Sequence, residues 1–257
     1  MVHWRSSIGE SSPSPKDSEV VLFSSFLKHG LALPACNFLR ELLYYYGIQI
    51  HHLTPELILH LSVFVHLCEA FLGIEPHFEL FQRLYSLVPH PSKNEMGSFG
   101  CARLELRSEI AEKYLEWPRI HIDPLWSSQW FYIHNQAPSL AKFSAEPPVY
   151  FWEWFVKSAV GSEFQTNELL ELIASLQEKR VTAASVFKNW MQRGIQPLQK
   201  RKHFGFQYEG TQDESRLSAE VTDSTTTLKV IQSIFPDQLS VPYVPTVFRA
   251  SNPPSQV

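Results

Sequence analysis

Thr54-Pro55-Glu56-Leu57-Ile58-Leu59-His60-Leu61-Ser62-Val63-Phe64-Val65-His66-Leu67-Cys68-Glu69-Ala70-Phe71-Leu72-Gly73 is the stretch on which the reading of the fold turns. Thr54 is a good N-cap, Pro55 suits the first helical position and Glu56 favours the positive end of a helix. Gly73 is a natural terminator. At about 100° per residue, Ser62, His66 and Glu69 share a stripe about 60° wide. Almost everything else is apolar, so the pattern predicts a central helix surrounded by protein on most sides. The run is nearly long enough to span a bilayer. His60, Ser62, His66 and Glu69 argue against that, since a charge at bilayer depth costs about 2.5–3.5 kcal/mol. No membrane partner is therefore expected.

Working outward, helices are expected over Ser18–His29, ended by Gly30, and over Pro34–Tyr46, ended by Gly47. A further short helix is expected over Pro76–Ser86. Together these predict a helical N-terminal bundle. Residues 1–17 are polar, rich in Ser and Pro, and give little to bury, so disorder is expected there. Ser98–Arg107 and Gln129–His134 read as strands, the second because Trp130, Phe131, Tyr132 and Ile133 are strong β formers. Pro118, Pro124, Pro138, Pro147 and Pro148 cut this middle part into short pieces, consistent with a small antiparallel sheet. A helical hairpin follows over 166–202. Thr166 caps a helix bearing Leu169, Leu172, Ile173 and Leu176; Thr182 caps a second, bearing Val186, Phe187, Trp190 and Met191. Beyond residue 216 the chain reads as a Pro-rich tail, mostly disordered, with one weak helix near 226–235.

The expected fold class is thus α+β, predominantly helical, in one principal domain at 18–216. Composition agrees: 257 residues with 44% hydrophobic and 13% aromatic content supply a sizeable core. A net charge of −4 is too small to select a partner. Cys36, Cys68 and Cys101 are too few and too far apart for a disulfide framework, and suggest free thiols in a reducing compartment. The polar start is unlike a secretory signal, so an intracellular place, nucleus or cytoplasm, is expected.

Several stretches read together as a known pattern. These are Gly30-Leu31-Ala32-Leu33-Pro34 leading into Phe38–Gly47, His51-His52-Leu53-Thr54-Pro55, and the run Phe64–Phe78. Trp130-Phe131-Tyr132, Ile195–Arg201, Tyr208-Glu209-Gly210 and Asp213–Arg216 come later. Over roughly Val20–Arg216 the chain resembles the putative gypsy-type transposon domain of many plant genomes, often labelled a putative transposase. It departs from that pattern at Phe81, where Trp is common, and at Gly194, where a second Arg often precedes Ile-Gln-Pro-Leu. The resemblance implies an origin in a transposable element and carries no catalytic residues with it.

The residues point to no enzyme. A strand-transfer enzyme needs three carboxylates on a mixed sheet holding two metal ions about 3.5–4 Å apart. The five aspartates, Asp17, Asp123, Asp213, Asp223 and Asp237, fall in no such frame. Asp223-Ser224-Thr225 lacks the glycine of an aspartic protease, and the cysteines cannot form a zinc knuckle. Ser62, His66 and Glu69 lack a nucleophile elbow and oxyanion hole, and are expected to satisfy one another, with Glu69 orienting His66. His66 and Cys68 point about 200° apart on a helix, so they cannot share a metal with His77. No catalytic residue, metal or cofactor is expected.

Charge leaves one candidate site. Lys179, Arg180, Lys188, Arg193, Lys200, Arg201 and Lys202 lie in a stretch with no acid. Lys188, Arg193, Lys200, Arg201 and Lys202 are the candidate nucleic-acid contacts, with Ser185, Lys188, Asn189 and Gln192 expected on the exposed face opposite Trp190. The expected function is a non-enzymatic binding or structural protein acting by self-association or on protein partners. The alternatives are DNA or RNA binding through 166–202 and metal-dependent strand transfer.

Overall fold

The β formers Trp130–His134 seed the sheet that holds the first compact unit together. The computed structural model describes residues 3–33, 35–90, 98–135, 140–150, 154–155, 163–192 and 224–238. They divide into two units, one of residues 1–62, 85–105 and 122–156, the other of 63–84, 106–121 and 157–257. Helices and small sheets are mixed in an α+β arrangement.

In the first unit, β1 (Trp4–Ser6), β5 (Trp130–His134) and β2 (Glu19–Phe23) form an antiparallel sheet in the order β1-β5-β2. Arg5 and Val21 both stand opposite Tyr132, and Phe23 stands opposite Trp130. The N-terminal region is therefore not an all-helical bundle. Val20–Phe23, expected in a helix, is a strand buried along its length because β5 supplies its backbone partners. Only Ser24–Lys28 (α1) is helical there. Residues 3–17, expected to be disordered, carry β1 and an arginine-centred cluster.

Helix α2 (Asn37–Tyr45) buries Phe38, Leu39, Leu42 and Leu43 and turns Tyr44 and Tyr45 outward. A 3₁₀ turn at Ile50–His52 leads into α3 (Pro55–His66). The Leu57 N–H donates to Thr54 Oγ1 at 3.1 Å, which is the predicted cap. β3 (Tyr85–Pro89) and β4 (Ala102–Leu106) make a two-stranded sheet. The residues expected to end the fourth helix thus open a strand instead. Between them lies the aromatic core: Phe23 meets Phe26, Phe99 and Trp126 at centroid distances of 5.3, 5.2 and 4.9 Å. Gly100 fits against Trp126 with φ +62°, a conformation in which a Cβ would come within 2.7 Å of the indole.

In the second unit the helical path continues from Val63 into a π-helical stretch, Leu67–Leu72, ended by Gly73 in the left-handed region as its sequence predicts. Most of Pro55–Leu72 is buried inside protein, the environment of a core helix. Helix α4 (Phe78–Leu84) sets Phe81 edge-on to Phe64 at 5.4 Å. Helices α5 (Glu163–Glu178) and α6 (Ala183–Trp190) are separated by a turn in which Arg180 has φ +60°. Helix α7 (Ser224–Ile234) falls where one weak helix was expected near 226–235 in an otherwise mostly disordered tail. Ile231, Ile234 and Phe235 are buried, with Phe235 edge-on to Phe187 at 6.3 Å.

Candidate functional site

Of the five candidate nucleic-acid contacts only Lys188, half-buried on α6, is placed; Arg193, Lys200, Arg201 and Lys202 lie outside the described residues. On the α6 face expected to be exposed, Lys188 and Gln192 are half-buried. Ser185 and Asn189 are buried, at 1% and 0% exposure. Ser185 is the third residue of a capping box: its N–H donates to Thr182 Oγ1 at 3.2 Å and the Thr182 N–H donates to Ser185 Oγ at 2.9 Å. Such a box usually takes Glu or Gln in that place, which is why Ser there reads as surface. Asn189 bonds His66 Nε2 through its side-chain oxygen at 2.9 Å. Lys179 and Arg180, on the turn before α6, are the exposed basic residues of this stretch among those described.

The Asn189 bond also corrects the reading of Ser62, His66 and Glu69. His66 is buried and bonds Asn189 across the unit, whereas Glu69 is exposed. Ser62 donates to the carbonyls of Ile58 and His29 at 2.8 and 3.1 Å, so it is no nucleophile held by a base. His77 Nδ1 accepts from the Leu80 N–H at 3.2 Å as the cap of α4, and burial pushes the Cys68 thiol up to about 12. Among the described residues no group of three His, Cys, Asp or Glu side chains is placed to hold a metal ion. Asp17, Asp123 and Asp237 are all exposed.

Three features of the first unit were not legible in the sequence. The first is the clasp on β1. Arg5 donates from Nε and Nη2 to both oxygens of Glu19 at 2.8 Å, and from Nη1 to Glu10 at 2.8 Å. Its guanidinium lies 3.7 Å from the centroid of the Tyr132 ring, and Tyr132 itself donates to Glu10. The bonds from Arg5 hold the Glu19 carboxylate below its usual range, and those from Tyr132 and Arg5 do the same for Glu10. A shallow depression lined by His3, Trp4, Arg5, Ser18, Glu19, Tyr132 and His134 opens here. With its fork occupied by Glu19 and Glu10, the arginine serves to fasten the N-terminal segment rather than to receive a ligand.

The second is a buried histidine pair. His51 and His52 are 1% and 2% exposed, their rings 4.2 Å apart, beneath residues 140–150. Burial, with a further contribution from His52, lowers His51 to about 3; burial lowers His52 to about 4. His60 behaves likewise, at about 3 from burial alone, so its 4.0 Å approach to Glu56 is a polar contact and not an ion pair.

The third is an aromatic surface. Tyr44, Tyr45, Tyr150 and Phe155 are 90%, 43%, 45% and 50% exposed, with Val149 beside them in sequence at 66%. Ring contacts tie Tyr45 to Tyr46 (5.0 Å), Tyr46 to Trp154 (6.5 Å) and Trp154 to Tyr150 (4.9 Å). The fully buried Trp154 anchors the group by donating from Nε1 to the Tyr46 carbonyl at 3.1 Å. Arg40 and Glu41 flank the tyrosines on the same outer side of α2, where Phe38, Leu39, Leu42 and Leu43 face inward. Tyr45 and Tyr150 are thus joined through Tyr46 and Trp154 into one aromatic group that reaches the surface, the kind of apolar surface that meets other molecules.

No curated protein and no solved structure matches the chain. Residues 20–89 match the family described as "Putative gypsy type transposon". That segment runs from β2 through β3 and contains α2, the histidine pair and the central helix, the stretches that carried the resemblance at the N-terminal end. The likeness to that family is thus carried by residues 20–89 of the 257.

Proposed function

We propose that this is a non-enzymatic protein of transposable-element origin that works by association between protein chains, in the first place with a second copy of itself. The observation that carries the reading is the exposed aromatic surface of Tyr44, Tyr45, Tyr150 and Phe155. Tyrosine supplies large, rigid contact area at low entropic cost and is enriched at the energetic centres of interfaces. A second copy fits because charges of both signs stand side by side: Arg40 and Glu41 are adjacent on α2. In a twofold interface each copy sets its Arg40 against the other's Glu41, while the tyrosines meet at the middle. The small net charge of −4 opposes such pairing only weakly.

Sedimentation velocity of the full chain over a wide concentration range tests this. The intact protein is expected to show concentration-dependent association. Changing Tyr44 and Tyr45 to Ser is expected to weaken it by roughly tenfold to a hundredfold, the worth of one or two central aromatics. Arg40→Glu alone weakens it too, and adding Glu41→Arg restores it. A chain monomeric at every concentration, or a tyrosine variant that associates like the parent, overturns the proposal. Salt-sensitive binding of DNA or RNA by that same variant would favour the basic stretch at 179–202 as the working surface instead.

A further inference from the structure

Residues 140–150 lie as a strap across the 3₁₀ turn at Ile50–His52, and Gln49 and His52 bind the strap to that turn. Gln49 makes a two-bond fork with Ser144: its Nε2 donates to Ser144 Oγ at 3.1 Å and its Oε1 accepts from the Ser144 N–H at 2.9 Å. His52 bridges the turn and the strap. Its Nδ1 accepts from the Gln49 N–H at 3.0 Å, and its Nε2 lies 3.1 Å from the Glu146 carbonyl. These two contacts fix the tautomer. Nδ1 must be bare to accept, so Nε2 carries the proton and donates to Glu146. The ring can do both tasks only while neutral, because a protonated Nδ1 would face the Gln49 N–H donor to donor. Next to it, His51 Nε2 is buried with no hydrogen-bond partner, and Phe143 of the strap covers the ring at 4.6 Å. Phe99 stands edge-on to His51 at 5.8 Å. A proton added at His51 Nε2 would have no acceptor under the closed strap, and the Ser144 backbone bond to the ring, which favours the charged form, is outweighed by burial.

From this geometry we infer that the 140–150 strap is a proton-operated latch: closed over neutral His51 and His52, and released when these rings take up protons, uncovering His51 and Phe99.

The surrounding charges do not offset the effect. On the strap, Lys142 is paired with Asp17 at 3.7 Å. On β2, Glu19 is committed to Arg5, and on β4, Arg103 is paired with Glu105. Among the described residues, His52 is the charge that bears on His51, and it has the same sign. Tyr150 closes the end of the strap on the Cys101 carbonyl at 3.5 Å.

The sign follows from the two states. Both rings are depressed when closed, to about 3 and about 4, and return to the ordinary value near 6.5 when open. Closure is therefore complete above about pH 6.5 and weakens as pH falls below it. Between about pH 7.5 and pH 5.5 the opening constant rises about tenfold for each histidine, or about a hundredfold for the pair.

Amide hydrogen exchange on the full chain reads this directly, after division by the intrinsic pH dependence of exchange. Opening of the Ser144 amide is expected to grow by about ten- to a hundredfold over that range, with residues 55–66 of the central helix as the internal control. His52→Gln keeps one acceptor and one donor and is expected to remove about tenfold of the pH dependence. A Ser144 amide whose opening is independent of pH overturns the inference. So does a His52→Gln variant with the full pH dependence, or opening of the strap only in step with residues 55–66. The ring nitrogens of the intact protein supply a reading that needs no variant: ¹⁵N spectra should show His52 neutral, protonated at Nε2, at about pH 6. A doubly protonated His52 with Ser144 still protected would refute the latch.

Discussion

Replacing Gly100 by Ala should destabilise the first unit by about 3 kcal/mol, and the figure can be built up from parts. Its φ of +62° costs an L-residue roughly 1–2 kcal/mol. The new methyl would lie 2.7 Å from Trp126 Cζ2 and 3.3 Å from Cη2. That indole cannot easily retreat, since Phe23 meets it edge-on at 4.9 Å and Phe26 stacks on it at 5.7 Å. Forcing one carbon into such a core costs about 1–3 kcal/mol. Against this, alanine stiffens the unfolded chain and returns roughly 0.4–1 kcal/mol. Gly9 supplies the control. It has φ +85° with nothing within 4 Å of a Cβ, so Gly9→Ala bears the backbone cost alone, about 0.5–1 kcal/mol net. Thermal unfolding followed by circular dichroism should lower Tm by roughly 6–12 °C for Gly100→Ala and roughly 2–4 °C or less for Gly9→Ala. Equal shifts for the two variants would mean that the Trp126 contact contributes nothing. A Gly100→Ala protein as stable as the parent would refute both parts of the reasoning.

Two further expectations concern other regions. Thr182→Ala removes the acceptor of the Ser185 N–H in the capping box of α6 and should cost about 1–2 kcal/mol in urea unfolding; no loss would mean that the box is not formed in solution. Thiol titration of the native protein at about pH 8 should find Cys36, which is exposed, reactive, while Cys68 and Cys101, buried and pushed up to about 12 and about 11, react only after denaturation.

Local rules carried the sequence reading furthest. Thr54, Pro55 and Gly73 bound the central helical path because caps and terminators act over a single turn, and Trp130–His134 is a strand because its residue types suit little else. What depends on distant partners was not legible. Val20–Phe23 scans as part of a helix because the strand that pairs with it lies about 110 residues on. Asn189 scans as surface because the side chain that needs it, His66, is about 120 residues upstream, and because α7 covers this unit from beyond residue 223. Arg5 offered no signal at all: a lone cation in a polar leader gains meaning only when Glu10, Glu19 and Tyr132 surround it. The aromatic surface was hidden for the opposite reason. Tyr44, Tyr45 and Tyr46 look alike in sequence, yet only Tyr46 is buried.

The sheet order β1-β5-β2 separates the segment that resembles a known family from the segment that can fold. The segment that identifies the family starts at β2 and stops at residue 89, so it carries one edge of a three-stranded sheet and leaves behind both the middle strand and the far edge. Cut out alone, it would present Val20–Phe23 to water with every ladder bond unmade, a short apolar strand seeking any edge that would take it. A fragment drawn to the family boundaries is thus a candidate for aggregation. A fragment meant to keep the sheet must run from before Trp4 to beyond His134, because the middle strand and the far edge both lie outside the segment that carries the family likeness.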